Sequence, residues 1–503
     1  MRWTLLIGMV WAGTTGVPAQ TGFITQLDSA QNGKPGSGRS VFEVSDGYLI
    51  FGHQISHDGT GKTHLFVRKL DSLGRFVHQR EYSYGDPRHY NFGPSAGVCR
   101  IDTGGFASVV LEGSAFTSES WLYRFDENGD TTSRKHLLTF DPSDSVYHFL
   151  WQTRQTSDGG FICAGWYEWF PVKTEGYLLR LNSQGDTLWT KRFGNFNVES
   201  TQAAACTPYP DGGVLLVGWR TMGFVQDSQF LIRTDSMGGQ LWRRQFGEDA
   251  SGVYAVVVCA DSTIVTAGEY REVYWPNYWQ QVMLTKWSPQ GNIVWQKRSH
   301  YQYTGWPADL EVLPSGSYVA CIRMGPAVTN IAKFSAVGDS TWSRSYSVFI
   351  DSHYPQDISL TTDGGFLTTG FVYQDNTGGH PGLQTTYVIK TDSLGCVVPG
   401  CHLVGVQEYA IELQEHLKLW PNPATDHLRL ELELPEGAAV QGAVQAVLLD
   451  ATGRAVLRER VRRNGNLLSH ALTLSLFPPG LYHLHLADEK RWLAGGRVVV
   501  SAP

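Results

Sequence analysis

The sequence predicts an all-β protein, a seven-bladed β-propeller followed by a small immunoglobulin-like β-sandwich, and two patterns carry that prediction. The first is a pair of tight turns that recurs seven times. The second is a run of short alternating strands near the C-terminus that no longer follows the repeat. In the repeat, one turn reads Asp46-Gly47, Thr103-Gly104-Gly105, Asp158-Gly159-Gly160, Asp211-Gly212-Gly213, Asp261-Ser262, Ser315-Gly316 and Asp363-Gly364-Gly365. The other runs from Asp71 to Gly74, Asp126 to Gly129, Asn182 to Gly185, Asp235 to Gly238, Ser288 to Gly291, Ser335 to Gly338 and Asp392 to Gly395. Its glycines are spaced 55, 56, 53, 53, 47 and 57 residues apart. A period near fifty with four short apolar runs per unit implies blades, because one four-stranded sheet cannot bury both faces until neighbours stack around an axis.

The third repeat is the clearest. Strands are expected over Phe149 to Gln155, Phe161 to Trp166, Gly176 to Leu181 and Asp186 to Phe193, with Asp-Gly and Gly-Gly hairpins supplying the positive φ that such turns need. Four residues after the second-turn glycine stands Trp189, Trp242, Trp295 or Trp342 in four consecutive repeats, a register that suits packing between outer strands. The seventh repeat lacks a fourth strand. Thr21 to Leu27, an orphan strand-like segment ahead of the first repeat, is expected to supply it and close the ring.

The domain boundaries follow: a leader at 1–19, the propeller at 20–405, a linker at 406–414 and a C-terminal domain at 415–503. Met1-Arg2-Trp3, the apolar run Thr4 to Trp11 and Val17-Pro18-Ala19 have the charge, core and cleavage pattern of a secretory signal. No later stretch has the roughly 18 apolar residues needed to span a bilayer. Charged residues are only 17% of the 503, against roughly 25% in typical domains, while 55 glycines and 12% aromatics fit a turn-rich β protein. The net charge of -7 includes no basic stripe, which argues against a nucleic-acid partner. Of the seven cysteines, Cys99, Cys163, Cys206, Cys259 and Cys321 sit in apolar strands and read as buried thiols; Cys396 and Cys401 bracket the end of the last blade and are expected to form a disulfide. No spacing suggests a metal, and no cofactor is expected.

Tight turns on one face leave the long connections on the other, and these are rich in aromatics. They include Asp86 to Tyr90, Trp166 to Phe170 with Trp169, Tyr274 to Trp279 with Trp275, Tyr278 and Trp279, then Tyr301, Tyr303 and Trp306, and His353-Tyr354. Aromatic rings on loops of a rigid scaffold suit stacking on sugars or gripping a peptide, so Trp166, Trp169, Trp275, Tyr278, Trp279 and Trp306 form the expected site for an extracellular glycan or protein. Asp309 and Asp357 stand six residues before the first turn of adjacent blades, where Ser40, Ala96, Gln152, Ala205 and Ala255 stand in the others. A carboxylate pair is the minimum for glycoside hydrolysis, but a solvated channel lining explains it more simply. The Asp126 to Asp130 segment lacks the later ligands of a calcium loop, and Gly59 to Thr63 lacks both the first glycine and the helix of a phosphate loop.

After about Gly405 the repeat disappears, a linker leads into His416, and six or seven short strands follow in which Leu428, Leu430, Leu432 and Leu434 alternate with charged residues. His483 and His485 share one strand face there and read as surface histidines. Trp420-Pro421-Asn422-Pro423, Asp450-Ala451-Thr452-Gly453-Arg454, Pro479-Gly480-Leu481-Tyr482 and Gly496-Arg497-Val498-Val499-Val500 occur in order. On these motifs the region resembles the C-terminal sorting domain of the Gram-negative type IX secretion system. The resemblance implies export across the outer membrane, recognition by the type IX secretion machinery, and a secreted or surface-attached product in a Gram-negative bacterium. The sequence expectation is therefore a non-catalytic binding or adhesion module; the alternative is a polysaccharide-active enzyme using the channel carboxylates.

Overall fold

The computed structural model describes residues 22–27, 36–55, 62–82, 89–92, 97–114, 117–138, 146–169, 173–195, 198–222, 225–247, 252–274, 277–298, 305, 307–324, 328–347, 352–373, 384–397, 408–410, 416–434, 442–450, 455–488 and 492–502. The expected leader and Cys401 lie outside them. All the regular structure is β. After β1 (Phe23–Gln26), sheet one comprises β2 (Gly36–Val44), β3 (Gly47–Ile55), β4 (Thr63–Asp71) and β5 (Phe76–Tyr82). Sheet two comprises β6 (His89–Phe92), β7 (Val98–Arg100), β8 (Phe106–Ser114), β9 (Thr117–Phe125) and β10 (Thr131–Leu138). Sheet three follows with β11 (Val146–Gln155), β12 (Phe161–Trp169), β13 (Lys173–Leu181) and β14 (Thr187–Phe193). Sheet four has β15 (Ser200–Pro208), β16 (Val214–Met222), β17 (Val225–Thr234) and β18 (Gln240–Phe246). Sheet five has β19 (Val253–Val258), β20 (Ile264–Tyr274), β21 (Asn277–Trp287) and β22 (Ile293–Arg298). Sheet six has β23 (Pro307–Val312), β24 (Tyr318–Met324), β25 (Val328–Phe334) and β26 (Ser340–Ser347), and sheet seven β27 (Ser352–Leu360), β28 (Phe366–Tyr373) and β29 (Gln384–Thr391).

The seam closes as the sequence predicts. β1 pairs antiparallel with β29, Phe23 opposite Lys390 and Gln26 opposite Tyr387, and so becomes the outer strand of sheet seven. The first strand of sheet one packs against β27 and β28, which completes a propeller ring. The repeat's glycines have a direct cause: the seven second-turn glycines, Gly74 to Gly395, all have φ between 73° and 83°. The aspartates of the same turns accept backbone hydrogen bonds. Asp126 Oδ1 takes the N–H of Asn128 at 2.9 Å and of Asp130 at 2.8 Å, and Asp235 and Asp392 repeat the arrangement. First-turn aspartates instead meet a basic residue of their own third strand, as in Asp158 with Arg180, Asp211 with Arg233 and Asp363 with Lys390.

The tryptophan register is also explained. A Cβ added to Gly238, Gly291, Gly338 or Gly395 would meet the ring of Trp189, Trp242, Trp295 or Trp342, so each tryptophan lies over the second-turn glycine of the next sheet. Phe23 does the same over Gly74, which gives the seam strand the packing role of the missing tryptophan.

Beyond the ring, β30 (Glu408–Ala410) adds in parallel to β26 inside the segment expected as a linker. A two-sheet sandwich follows. One sheet orders β31 (Leu417–Trp420), β32 (His427–Glu433), β36 (Leu467–Thr473) and β35 (Arg462–Asn464); the other orders β34 (Ala455–Arg460), β33 (Gln445–Leu449), β37 (Gly480–Ala487) and β38 (Trp492–Val500). Leu428, Leu430, Leu432, Leu448, Leu468, Leu484 and Leu486 are all fully buried between them. His483 and His485 are a correction: they are 2% and 0% exposed, on the opposite face of β37 from that core, beside the buried Val447 and Leu449 of β33. Burial and the nearby Arg497 hold His483 down to about 4, so it is neutral.

Candidate functional site

Six inner strands carry the same irregularity. The register slips between Gly38 and Ser40, Leu150 and Gln152, Ala203 and Ala205, Val253 and Ala255, Pro307 and Asp309, and Pro355 and Asp357, so each strand has one extra residue. Such a bulge bends the strand and redirects the side chains beside it. In four of the six, the residue after the bulge ties neighbouring sheets together. Ser40 Oγ accepts the N–H of Val98 at 3.2 Å, Gln152 Oε1 that of Cys206 at 2.8 Å, and Asp357 Oδ2 that of Val41 at 2.7 Å across the seam. Asp309 Oδ2 accepts from Ile358 at 3.5 Å. Val98 aligns with Val41, Cys206 and Ile358, so the equivalent position in sheet two is Gly97; Ala96 lies outside the described residues.

Asp309 and Asp357 are only 5% and 4% exposed, more deeply buried than a solvated channel lining would be. Burial raises the pKa of both, and the charge of Asp309 adds to the rise at Asp357. Glu311, two residues further along β23, is pushed up to about 8 by burial and by Asp309. These acids line a cavity of about 400 Å³ with Phe42, Arg100, Arg154 and Ser359 at the tight-turn mouth of the channel. Arg100 is engaged there by Glu127 at 2.9 Å. Among the described residues, no group of three potential ligands could hold a metal ion.

Four of the six expected aromatics lie in strands and not in connections. Trp166 and Trp169 belong to β12, whose pairing with β11 and β13 continues to Val146 and Lys173, and Trp166 is only 8% exposed. Tyr278 and Trp279 open β21, where Tyr274 pairs with Asn277; only Trp275 and Pro276 lie between, outside the described residues, as does Trp306. His89, Tyr90, His353 and Tyr354 are likewise in strands. The cause is the same in each case: alternating aromatic and polar residues continue the ladder past the point where the sequence reads as a loop. Their clusters lie in the half of each sheet nearest the long connections. Trp166 contacts Trp151 at 4.5 Å and Phe149 at 5.3 Å between ring centroids, Trp219 contacts Tyr254 at 5.7 Å, and Tyr354 stacks on Phe371 at 4.8 Å and 2°. Trp151 and Tyr254 are bulge residues, which sequence reasoning missed because a bulge leaves no mark in the turn spacing.

In the C-terminal sandwich the separated motifs meet. Asn422 Nδ2 donates to the carbonyl of Arg497 at 2.7 Å and its Oδ1 accepts from Val499 N–H at 2.9 Å, so one side chain satisfies two backbone groups of β38. Pro421 and Pro423 flank it on cis bonds. Gly480 and Tyr482 pair opposite Val500 and Val498, and the Tyr482 hydroxyl donates to Pro478 O at 2.9 Å. Asp450 is half-buried, and Gly453 lies outside the described residues. Residues 418–501 match the family described as a secretion system C-terminal sorting domain. This region is a sorting domain. It directs type IX secretion to the cell surface or extracellular space of a Gram-negative bacterium, and the secretion machinery is its partner.

A search of curated proteins finds no match. Among solved structures, a protein of unknown function from Bacteroides caccae is similar at 12% identity, covering 62% of this chain and 94% of that one with a TM-score of 0.33. Polysaccharide lyase Uly1 is similar at 11% over 71% and 90%, TM-score 0.45, and a protein of unknown function from Dyadobacter fermentans at 13% over 59% and 95%, TM-score 0.40. Among the described residues, no helix is long and apolar enough to cross a membrane. Cys396 is disulfide-bonded, while Cys99, Cys163, Cys206 and Cys321 are buried free thiols and Cys259 a partly buried one. Burial raises Cys99 to about 11 and Cys206 to about 12, which keeps both as thiols.

Proposed function

We propose that this exported propeller is a non-catalytic binding module for an extracellular glycan, held at the long-connection end of its channel. The observation that carries the reading is the set of partly exposed aromatics there, Phe149, Trp151, Trp219, Tyr254, Tyr354 and Phe371, spread over sheets three, four, five and seven. Rings on a rigid frame offer flat apolar faces at little entropic cost, which suits the faces of sugars. The β20–β21 hairpin supports it: at 11 residues each, these strands are the longest described, and Tyr278 and Trp279 open the second of them.

The channel carboxyls favour binding over polysaccharide cleavage. A glycosidase needs its two carboxyls about 5 Å or more apart, astride the sugar bond. Asp309 and Asp357 are instead nearly fully buried and accept backbone N–H groups of the neighbouring sheets. The test is binding of the full chain to an immobilised glycan panel, beside Trp151→Ala/Tyr254→Ala and Trp275→Ala/Trp279→Ala variants. Binding at least about tenfold weaker in either variant is expected, equivalent to a lost stacking contact of about 1.4 kcal/mol. Capture of a protein ligand with no glycan dependence would replace this reading.

A further inference from the structure

Among the described residues, Arg39 is a cation that meets no carboxylate. Arg39 is the extra residue of the β2 bulge, and its Nη1 donates to Gln356 Oε1 of the neighbouring bulge at 2.7 Å. Its guanidinium carbon lies 5.6 Å from the centre of the Phe371 ring. Its Nε is buried without a partner, and among the described residues no carboxylate reaches it. Other partly buried arginines contrast with it: Arg134 meets Glu112, Arg180 meets Asp158 and Arg243 meets Glu199.

Two further orphan groups belong to the same corner. His53, 7% exposed, has no partner for Nδ1, and Ser37, fully buried and directly opposite it across β2 and β3, has none for Oγ. Burial and the Arg39 charge hold His53 neutral, so its ring can present an N–H at Nδ1. A guanidinium Nε–H, a hydroxyl and an imidazole N–H are all donors. Nearly all buried polar groups in folded proteins are paired, and an unpaired buried charge is costly, so three unmatched donors in one corner call for an acceptor carrying negative charge. The guanidinium fork fits a carboxylate or sulfate in particular. Arg39 is half-buried, so such a group can reach it from solvent. The corner lies in the same half of the ring as the Tyr354–Phe371 stack.

We propose that Arg39, His53 and Ser37 form a site for one oxyanion, the carboxylate or sulfate group of an acidic glycan. The source of the anion rests on the glycan reading above; the anion site itself does not.

The test is calorimetric titration of the full chain with glucuronate, glucose 6-sulfate and glucose at constant ionic strength, for wild type and Arg39→Gln, beside the glycan panel. Wild type should prefer at least one acidic sugar over glucose by about tenfold or more, and R39Q, which removes the charge and leaves a polar amide, should lose that preference. Glucuronate and glucose 6-sulfate separate a uronate from a sulfate ester. The unliganded variant should melt no lower than wild type, because it removes an unpaired buried charge. A preference that survives in R39Q, or a lower midpoint for the unliganded variant, overturns the proposal. Equal binding of neutral and acidic sugars overturns the anion site and leaves the glycan reading intact. Acidic monosaccharides that bind while no panel glycan does would overturn the glycan reading and keep the site; no binding of either kind overturns both.

Discussion

The outer rim and the inner wall of the ring are built from one repeat and treat it in opposite ways. At the rim the residues themselves recur: an aromatic over the next sheet's turn glycine, and a basic side chain reaching that same turn, as Lys135 does Asp186, Arg244 the carbonyl of Gly291 at 2.9 Å, Lys297 Asp339 and Arg344 the carbonyl of Leu394 at 2.7 Å. At the inner wall only the geometry recurs. The bulge is fixed in six sheets, but its extra residue is Arg39, Trp151, Ala204, Tyr254, Ala308 or Gln356, and the residue after it ranges from alanine to aspartate. A position held by backbone shape and released in chemistry can carry recognition without disturbing the fold.

The largest expected effect comes from breaking the rim at the seam. Deleting residues 22–27 removes the fourth strand of sheet seven, the Phe23 ring over Gly74 and the 2.7 Å bond from Thr25 Oγ1 to Gly74 O. A loss on the order of 5 kcal/mol is expected, read as a drop in the urea midpoint; an unchanged midpoint would mean the seam strand is dispensable. Next is a paired comparison of glycines. Gly338→Ala places a Cβ 2.6 Å from the Trp295 ring at φ +83°, whereas Gly104→Ala meets open space at φ +91°. The first should cost about 2–3 kcal/mol and the second about 1, so equal losses would show that backbone strain alone, and not the tryptophan, requires the rim glycine.

The smallest effect sharpens the inner wall. Glu311 titrates at about 8 in the folded protein against 4.5 ordinarily, so the folded state holds its proton more tightly. Its contribution to stability is full below 4.5 and is lost as pH rises towards 8. Asp309 and Asp357, raised in the same sense, act in the same direction. Thermal midpoints of Glu311→Gln should fall less steeply than wild type over that range, by on the order of 1 kcal/mol. An identical slope would remove Glu311 from the account.

The sequence was legible where chemistry repeats and opaque where geometry does. Positive-φ glycines and turn aspartates have few substitutes, so seven sheets, their order and the closing strand at Phe23 could be read directly. The ordered motifs of the sorting domain were equally plain, although the Asn422 clamp on β38 appears only once both ends of the domain meet. Bulges require no particular residue, so Arg39, Trp151 and Tyr254 gave no signal. Trp166 and Tyr354 looked like loop aromatics because nothing local tells a strand end from a connection. Asp309 and Asp357 looked solvent-facing because the backbone donors they satisfy belong to other sheets.

The seam also separates the ring in time. The four-stranded units of the other sheets pair strands that follow one another in sequence, but Phe23 must find Lys390, a separation of 367 residues (390 − 23). Contacts of that range form late and slowly in folding. Until they do, the edge of β29 is open, and the first strand of another copy offers it the same backbone bonds as its own. Refolding at high concentration therefore puts correct closure in competition with strand exchange, and dilution favours the closed monomer.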